Sequence, residues 1–467
     1  MVCPELEHSR ILEWTVLGMA YASSEPEFLY YVLLPHPTEP RLWIVADQDG
    51  WSLPRWQTTT QHFWQTTNYV NTTMEALFGV AVTTLRCVSL LDDAATRQST
   101  RVYELELHSP AGALPPGGRW IDYQELAKLR WSRSELRPVL ETWFAEAAAS
   151  VPAIRRPWAR RGWFSSASSW IVSHGEQLGL ERTAPIEQLR SWERSCVLRI
   201  PTTGGDLYFK ALPAMFAHEL EVLETLAGQH PDNFVQLPAV ENDRHWMLMA
   251  DMHGPSLDRI EQLDVWEQAL ARLAHIQIVT ATQVDHFIAL GCPDLRLDKL
   301  RAHIDPFFAA LEMYPGLSTE DIATLRAAAP RLKDRCSGLA TYRIPAALEH
   351  GDLGPSNIVI SNGIPIYFDW SDASITHPFF SLPLLFDDSP AALMVRPQQN
   401  QRLRAAYLDP WQVYEPMERL EQALELAEQL APVHHALLYH VMILPNMEAR
   451  WEMVNMVAHY LRMLLHV

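Results

Sequence analysis

The stretch Leu348-Glu-His-Gly-Asp-Leu-Gly-Pro-Ser-Asn-Ile-Val-Ile-Ser-Asn-Gly-Ile-Pro-Ile-Tyr-Phe-Asp-Trp370 decides the reading of this chain. Asp352 and Asn357 stand five apart in a loop that contains glycine and proline. Asp369 closes an apolar run, Ile364–Phe368, that follows a turn at Ser361–Gly363. A loop and a hairpin built this way can bring three oxygen-bearing side chains to one point. Hard divalent cations such as Mg²⁺ select such oxygens and keep waters and substrate phosphates as further ligands. Taken singly the fragments say little, because His-Gly-Asp is ordinarily a turn and an aspartate after a strand is ordinarily a helix cap.

In kinase-type phosphoryl transfer one aspartate orients the acceptor hydroxyl, while an asparagine and a second aspartate hold metal ions on the nucleotide phosphates. The whole string resembles the aminoglycoside phosphotransferase and choline kinase family, whose hallmark is His-Gly-Asp-(x)4-Asn followed by a hydrophobic strand ending in Asp. Here that hallmark is His350-Gly351-Asp352 with Asn357, then Phe368-Asp369-Trp370. Ser371-Asp372-Ala373-Ser374 and His377-Pro378-Phe379 also look like bacterial members of the family. The resemblance covers about residues 175–467. It implies an α+β, protein kinase-like two-lobed fold, with ATP and Mg²⁺ as cofactors. It further implies Asp352 as the catalytic residue and Asn357 and Asp369 as metal ligands. His350 is expected to hold the loop by hydrogen bonds, and Asp372 to cap the segment that follows.

Upstream residues supply a separate check. A kinase-like fold uses a strand lysine, paired with a helix glutamate, to hold the nucleotide phosphates. The chain has only four lysines, and one of them, Lys210, lies in the β-like run Leu207–Leu212. This run follows Cys196–Ile200 across a turn at Pro201–Asp206, a predicted hairpin. Glu219 begins a helical pattern over Ala217–Leu226 in the register of the family's Glu-x-x-x-Leu-x-x-Leu helix, with Glu221 and Glu224 as competitors. The run Trp246–Gly254 resembles the family's adenine-binding hinge and makes Met249 and Asp251 candidates for nucleotide contact; it also reads as a buried strand entering a turn. The turn at Thr202–Asp206 lacks the full glycine-rich signature of protein kinases. Helical patterns at Trp266–Ile278 and His434–Leu465 would build the large lobe and the walls of the acceptor site. His434, His435, His440 and Trp451 could line that site, although core packing is the ordinary fate of such residues.

The first part of the chain reads differently. Runs at Phe28–Leu34, Leu42–Ala46, Val80–Leu90 and Arg101–Leu107 are strand-like, and Trp64–Phe78 and Ser134–Ala149 are helical. They predict an α+β accessory domain with a mixed sheet. Pro152–Ser173, rich in Arg, Trp, Ser and Pro, shows little periodicity and reads as a linker. Trp51-Ser-Leu-Pro-Arg-Trp56 before the helix faintly resembles a Nudix hydrolase. Thr72, Thr73, Ala76 and Leu77 occupy the places of that family's carboxylates, so its magnesium chemistry would be gone. The expected domains are 1–160 (accessory), 161–180 (linker), 181–254 (small lobe) and 255–467 (large, mostly helical lobe).

Composition bounds the rest. The 467 residues are 48% hydrophobic and 20% charged, as in an ordinary globular protein. The formal charge of −19 disfavours nucleic acid as a partner and would suit a cationic small molecule. No run reaches the ~18 apolar residues of a membrane span. Five scattered cysteines give no disulfide framework, and Met1–Arg10 lacks the apolar core of a signal peptide, so a cytoplasmic location is expected. The expectation is an ATP-dependent small-molecule kinase acting on a hydroxyl of an aminoglycoside-like, amino-alcohol or sugar acceptor. A catalytically weak nucleotide-binding or regulatory module is the alternative from another class, and a nucleotide hydrolase in the N-terminal domain a second one.

Overall fold

The computed structural model describes residues 27–93, 97–110, 114–387 and 397–466. Helices and sheets are mixed throughout, as expected, and the described residues fall into two compact units, 27–213 and 214–466.

The first unit is built on β1 (Glu27–Pro35), β2 (Leu42–Asp47), β3 (Gly50–Ser52), β4 (Arg55–Thr58), α1 (Asn68–Phe78), β5 (Val82–Asp93), β6 (Gln98–Leu107) and β7 (Gly118–Ile121). The sheet runs β3-β2-β1-β6-β5, with β4 added to β1 and β7 to β2. It is mixed, because β1 pairs parallel with β6 and antiparallel with its other partners. Eight of the nine β1 residues are buried, as befits a central strand covered on both faces. Leu29, Tyr31 and Leu33 point to one face and pack with Leu126 of α2 (Tyr123–Leu126) and Leu140 and Trp143 of α3 (Arg137–Ala147). Alternation sends Tyr30 to the opposite face, where it stacks on Trp56 and Tyr103.

The stretch read as an irregular linker instead contains α4 (Trp163–Gln177). Its buried residues Trp163, Ala167 and Ile171 recur every fourth position, which is a helical stripe. The arginines and tryptophans before it, loop-like by composition, are fixed by pairs: Arg155 to Glu146 at 2.7 Å, Arg156 to Glu193 at 2.9 Å, and Trp158 Nε1 to the Trp192 carbonyl at 2.8 Å. The same unit holds β8 (Glu187–Ser191), β9 (Cys196–Thr202) and β10 (Gly205–Ala211), with β9 and β10 forming the expected hairpin. The Gln188 amide brackets the Thr84 backbone, accepting its N–H at 2.7 Å and donating to its carbonyl at 2.8 Å. Those bonds join β8 to β5 of the N-terminal sheet.

The second unit begins with α5 (His218–Gln229), followed by the antiparallel pair β11 (Ala239–Glu241) and β12 (Trp246–Ala250). Helices then dominate: α6 (Leu263–Thr280), α7 (Val284–Ala289), α8 (Leu297–Ala309) and α9 (Thr319–Leu339). Among them sit two short antiparallel pairs, β13 (Ala347–Glu349) with β16 (Ser374–Thr376), and β14 (Ile358–Ser361) with β15 (Ile364–Tyr367). After α10 (Ser381–Asp387) come helices at Pro397–Leu408, Met417–Glu428, Ala431–Leu438 and Asn455–Met463. Among the described residues no helix is long and apolar enough to cross a membrane.

Candidate active site

The decisive stretch folds as β13, a loop, β14, β15 and a second loop. The β14–β15 turn is Asn362-Gly363 with φ of 50° and 81°, the doubly left-handed geometry of a type I′ hairpin, which Asn-Gly favours. The hairpin is anchored from below. Tyr367 donates to the Ala269 carbonyl of α6 at 2.5 Å, and Asn233 donates to the Pro365 carbonyl at 2.9 Å. Both loops therefore spring from a fixed base.

Within the first loop, Asn357 Nδ2 lies 2.7 Å from the main-chain oxygen of Asp352 and 3.4 Å from its carboxylate. Asn357 is buried and Asp352 half-buried, so the amide holds the aspartate while the carboxylate keeps an open side. With its NH₂ committed, Asn357 has Oδ1 as its remaining polar atom. His350 is fully buried and uses both ring nitrogens: Nδ1 accepts the Asp352 N–H at 3.3 Å, and Nε2 donates to the Phe368 carbonyl at 3.0 Å. Burial pushes its pKa down, with the Asp352, Glu349 and Asp369 charges opposing. The neutral ring thus links the Asp352 loop to the residue before Asp369. Asp369 is half-buried, adopts φ of 65° and accepts a hydrogen bond from Ser371 Oγ at 3.2 Å.

Two glycines permit the close packing of this region. A Cβ on Gly351 would stand 2.1 Å from the Asp372 carbonyl oxygen, and Gly351 has φ of +79°. A Cβ on Gly254 would stand 2.1 Å from the Ile360 carbonyl oxygen, where the chain leaving β12 crosses β14. That crossing carries the hinge-like segment. Val235, Met252 and Val359 form a small apolar cluster, with Met249, Leu237, Ile366 and Phe368 packed against it. Met249 thereby shares an apolar patch with the hairpin whose end bears Asp369. Asp251 accepts the His253 N–H at 3.1 Å and faces the His253 ring at 3.4 Å.

Glu219 is buried in the first turn of α5. Its neighbour His218 hydrogen-bonds the Ser371 backbone, tying the start of α5 to the loop after Asp369, and burial pushes the His218 pKa down to about 4. Of the candidates, then, Asp352, Asn357, Asp369, Glu219, Met249 and Asp251 belong to the second unit, and the buried Lys210 lies on β10 of the first. His434 and His435 are buried, and His440 is half-buried against Tyr314, with Tyr314 Oη 2.5 Å from its Nδ1. The bridging role of His350 was expected only in outline, and the two glycine contacts left no sequence signal beyond the residue type itself.

The donor set around the loops is oxygen only: the Asn357 amide oxygen and the Asp369 and Asp352 carboxylates. Such hard oxygens fit a magnesium ion. The partly exposed carboxylate of Asp352, held by an amide beside it, is suited to accept a proton from a bound hydroxyl.

A family model described as "Phosphotransferase enzyme family" matches residues 187–421. No curated protein sequence matches the chain. Among solved structures, the chain is similar to an ethanolamine kinase from Plasmodium vivax (12% identity, TM-score 0.46, covering 72% of this chain and 95% of that one). It is also similar to a choline/ethanolamine kinase family protein from Mesorhizobium loti (14% identity, TM-score 0.43, 65% and 95%). A choline kinase from Streptococcus pneumoniae gives 15% identity and a TM-score of 0.43, over 65% of this chain and 98% of that one. None of these comparisons supports the Nudix-like resemblance of the N-terminal region.

Proposed function

The chain belongs to the phosphotransferase enzyme family and is a small-molecule kinase; from that premise we propose that it moves the γ-phosphate of ATP to a hydroxyl group of an aminoglycoside-like, amino-alcohol or sugar acceptor. The observation that carries the reading is the pairing of Asn357 with Asp352 at 2.7 Å, joined through His350 to the residue before Asp369.

Asp352 orients the acceptor hydroxyl and takes its proton as the new P–O bond forms, the bond from Pγ to the β–γ bridging oxygen breaks and ADP leaves. Asn357 and His350 keep the aspartate in place, so the loop needs no rearrangement in the transition state. Asn357 Oδ1 and the Asp369 carboxylate would hold magnesium. When bound, the ion screens charge on the nucleotide phosphates. Met249 and Asp251 are proposed to contact the nucleotide base, and Lys210 and Glu219 to serve its phosphates. The high negative charge of the chain favours cationic acceptors.

A thermal-shift titration tests this without knowing the acceptor. A ligand that binds only the folded state stabilises it by about 2.7 kcal/mol at a hundredfold excess over Kd. Mg-ATP should raise the melting temperature more than ATP with a chelator. In Asp369→Asn the magnesium-dependent part of that rise should vanish. A full magnesium-dependent shift in the variant would remove Asp369 from the metal site, and a wild type without any nucleotide shift would favour the binding-module alternative.

A further inference from the structure

Directly behind the two loops lies a buried polar network. Glu349, the last residue of β13, is fully buried, and its Oε1 accepts a hydrogen bond from Ser381 Oγ at 2.9 Å. Its Oε2 lies 3.4 Å from Nε2 of His434, on the Ala431–Leu438 helix. In the β13–β16 ladder the residue opposite Glu349 is Ser374, whose hydroxyl lies 3.5 Å from the same His434 nitrogen. The network continues from Ser381 to Gln277 of α6 at 3.1 Å and from Gln277 to Tyr407 at 2.6 Å. His434 is stacked on Phe380 at 5.1 Å, which fixes its ring.

The topology gives these contacts a purpose. β13 enters the Asp352 loop, and β16 leaves the Asp369 loop. One histidine meets both strands at the ends from which the loops spring, Glu349 and Ser374. We propose that Glu349 and His434 are positioning residues: a buried polar tether that holds the catalytic aspartate and the metal-binding aspartate at a fixed separation. This inference rests on the site reading above. Its place makes the tether more than a core contact: Glu349 is the last residue of β13, three before Asp352, and its partner Ser374 is the first of β16, five after Asp369. A carboxylate in so dry a place persists only when paired and hydrogen-bonded. Glu349 meets that condition through Ser381 at 2.9 Å and His434 at 3.4 Å; burial raises its pKa, but the two histidines beside it hold it down at about 2.

The test measures ADP release from Mg-ATP, with water as acceptor, in the full chain and in Glu349→Ala, Ser381→Ala, His434→Gln and Asp352→Asn. Loss of the tether should lower kcat by ~10-fold or more in Glu349→Ala, with KM for Mg-ATP unchanged within about twofold; uniform binding is then intact and positioning lost. Glu349→Gln keeps an oxygen for Ser381, and should recover most of the rate. Should Glu349→Ala fail to fold, Ser381→Ala keeps the carboxylate but removes its 2.9 Å bond to Ser381, together with the 3.1 Å bond from Gln277, and should still lower kcat several-fold at unchanged KM. Wild-type kcat in all three folded tether variants, beside an inactive Asp352→Asn, would overturn the tether and spare the site. Wild-type kcat in Asp352→Asn would overturn the site reading itself. One equivalent of zinc in the purified chain, lost in His434→Gln, would also overturn the tether, because Glu349, His434 and His435 would then be metal ligands.

Discussion

The His350 ring donates from Nε2 to the carbonyl oxygen of Phe368, 3.0 Å away across the two loops. This single ring lies between the Asp352 N–H and the residue that precedes Asp369, tilted against Trp370 with ring centroids 4.5 Å apart. Its removal unseats both aspartates at once.

His350→Ala should therefore lose stability as well as rate. It leaves a cavity and an unsatisfied buried carbonyl, together costing about 3 kcal/mol. The melting temperature should fall by several degrees. A variant that melts at the wild-type temperature would show that the ring is not a structural bridge.

Asp352→Asn keeps the size of the side chain and removes its basicity. A positioned base contributes ~10²–10⁴-fold to rate, and turnover should fall by that factor. The thermal shift with Mg-ATP should stay near the wild-type value, since in the proposed mechanism the residue serves the acceptor. Near-normal turnover would refute its role.

Gly351→Ala is the sharpest structural test. The new methyl would collide with backbone, the Asp372 carbonyl at 2.1 Å, and the φ of +79° suits glycine alone. No rotamer change relieves that clash. The variant should be insoluble, or folded with turnover below about a hundredth of wild type. An active, stable Gly351→Ala protein would mean that the loop packs differently.

Local chemistry explains which parts of this fold can be read from sequence. The β14–β15 hairpin is visible because Asn362-Gly363 fits a turn with positive φ at both central residues and the flanking residues are apolar or β-branched. β12 is visible because five consecutive residues, Trp246–Ala250, are large or apolar. Asp352 and Asn357 share a loop, so their contact needs no long-range information. The helix α4 was hidden because Ser, Gly and Trp mask its four-residue stripe. Gln188, which binds Thr84 across a sequence separation of 104, and Ser374, which meets His434 across 60, leave no local trace. Tertiary packing alone creates those contacts.

Acid should weaken the protein in a definable window. Burial holds the His377 pKa down at about 3, against 6.5 for an ordinary histidine. The unfolded chain takes up that proton first, so stability is complete above pH ~6.5 and drains as pH falls toward about 3. Glu349 acts in the same direction lower down: with its carboxyl at about 2 instead of 4.5, its contribution is present above that ordinary value and lost as pH falls toward 2. Each proton contributes a slope of about 1.4 kcal/mol per pH unit while it titrates. Calorimetric melting temperatures should fall steadily from pH 7 to pH 4. A flat profile over that range would contradict a neutral, buried His377.

Asp369 sits at φ of 65°, a left-handed conformation that costs a non-glycine residue about 1 kcal/mol. A lineage selected on heat resistance alone would gain by exchanging it for glycine, and would discard a carboxylate in doing so. Persistence of the aspartate among descendants of this gene would therefore record selection for turnover, and glycine at the same place would mark a copy that has left enzymatic life behind.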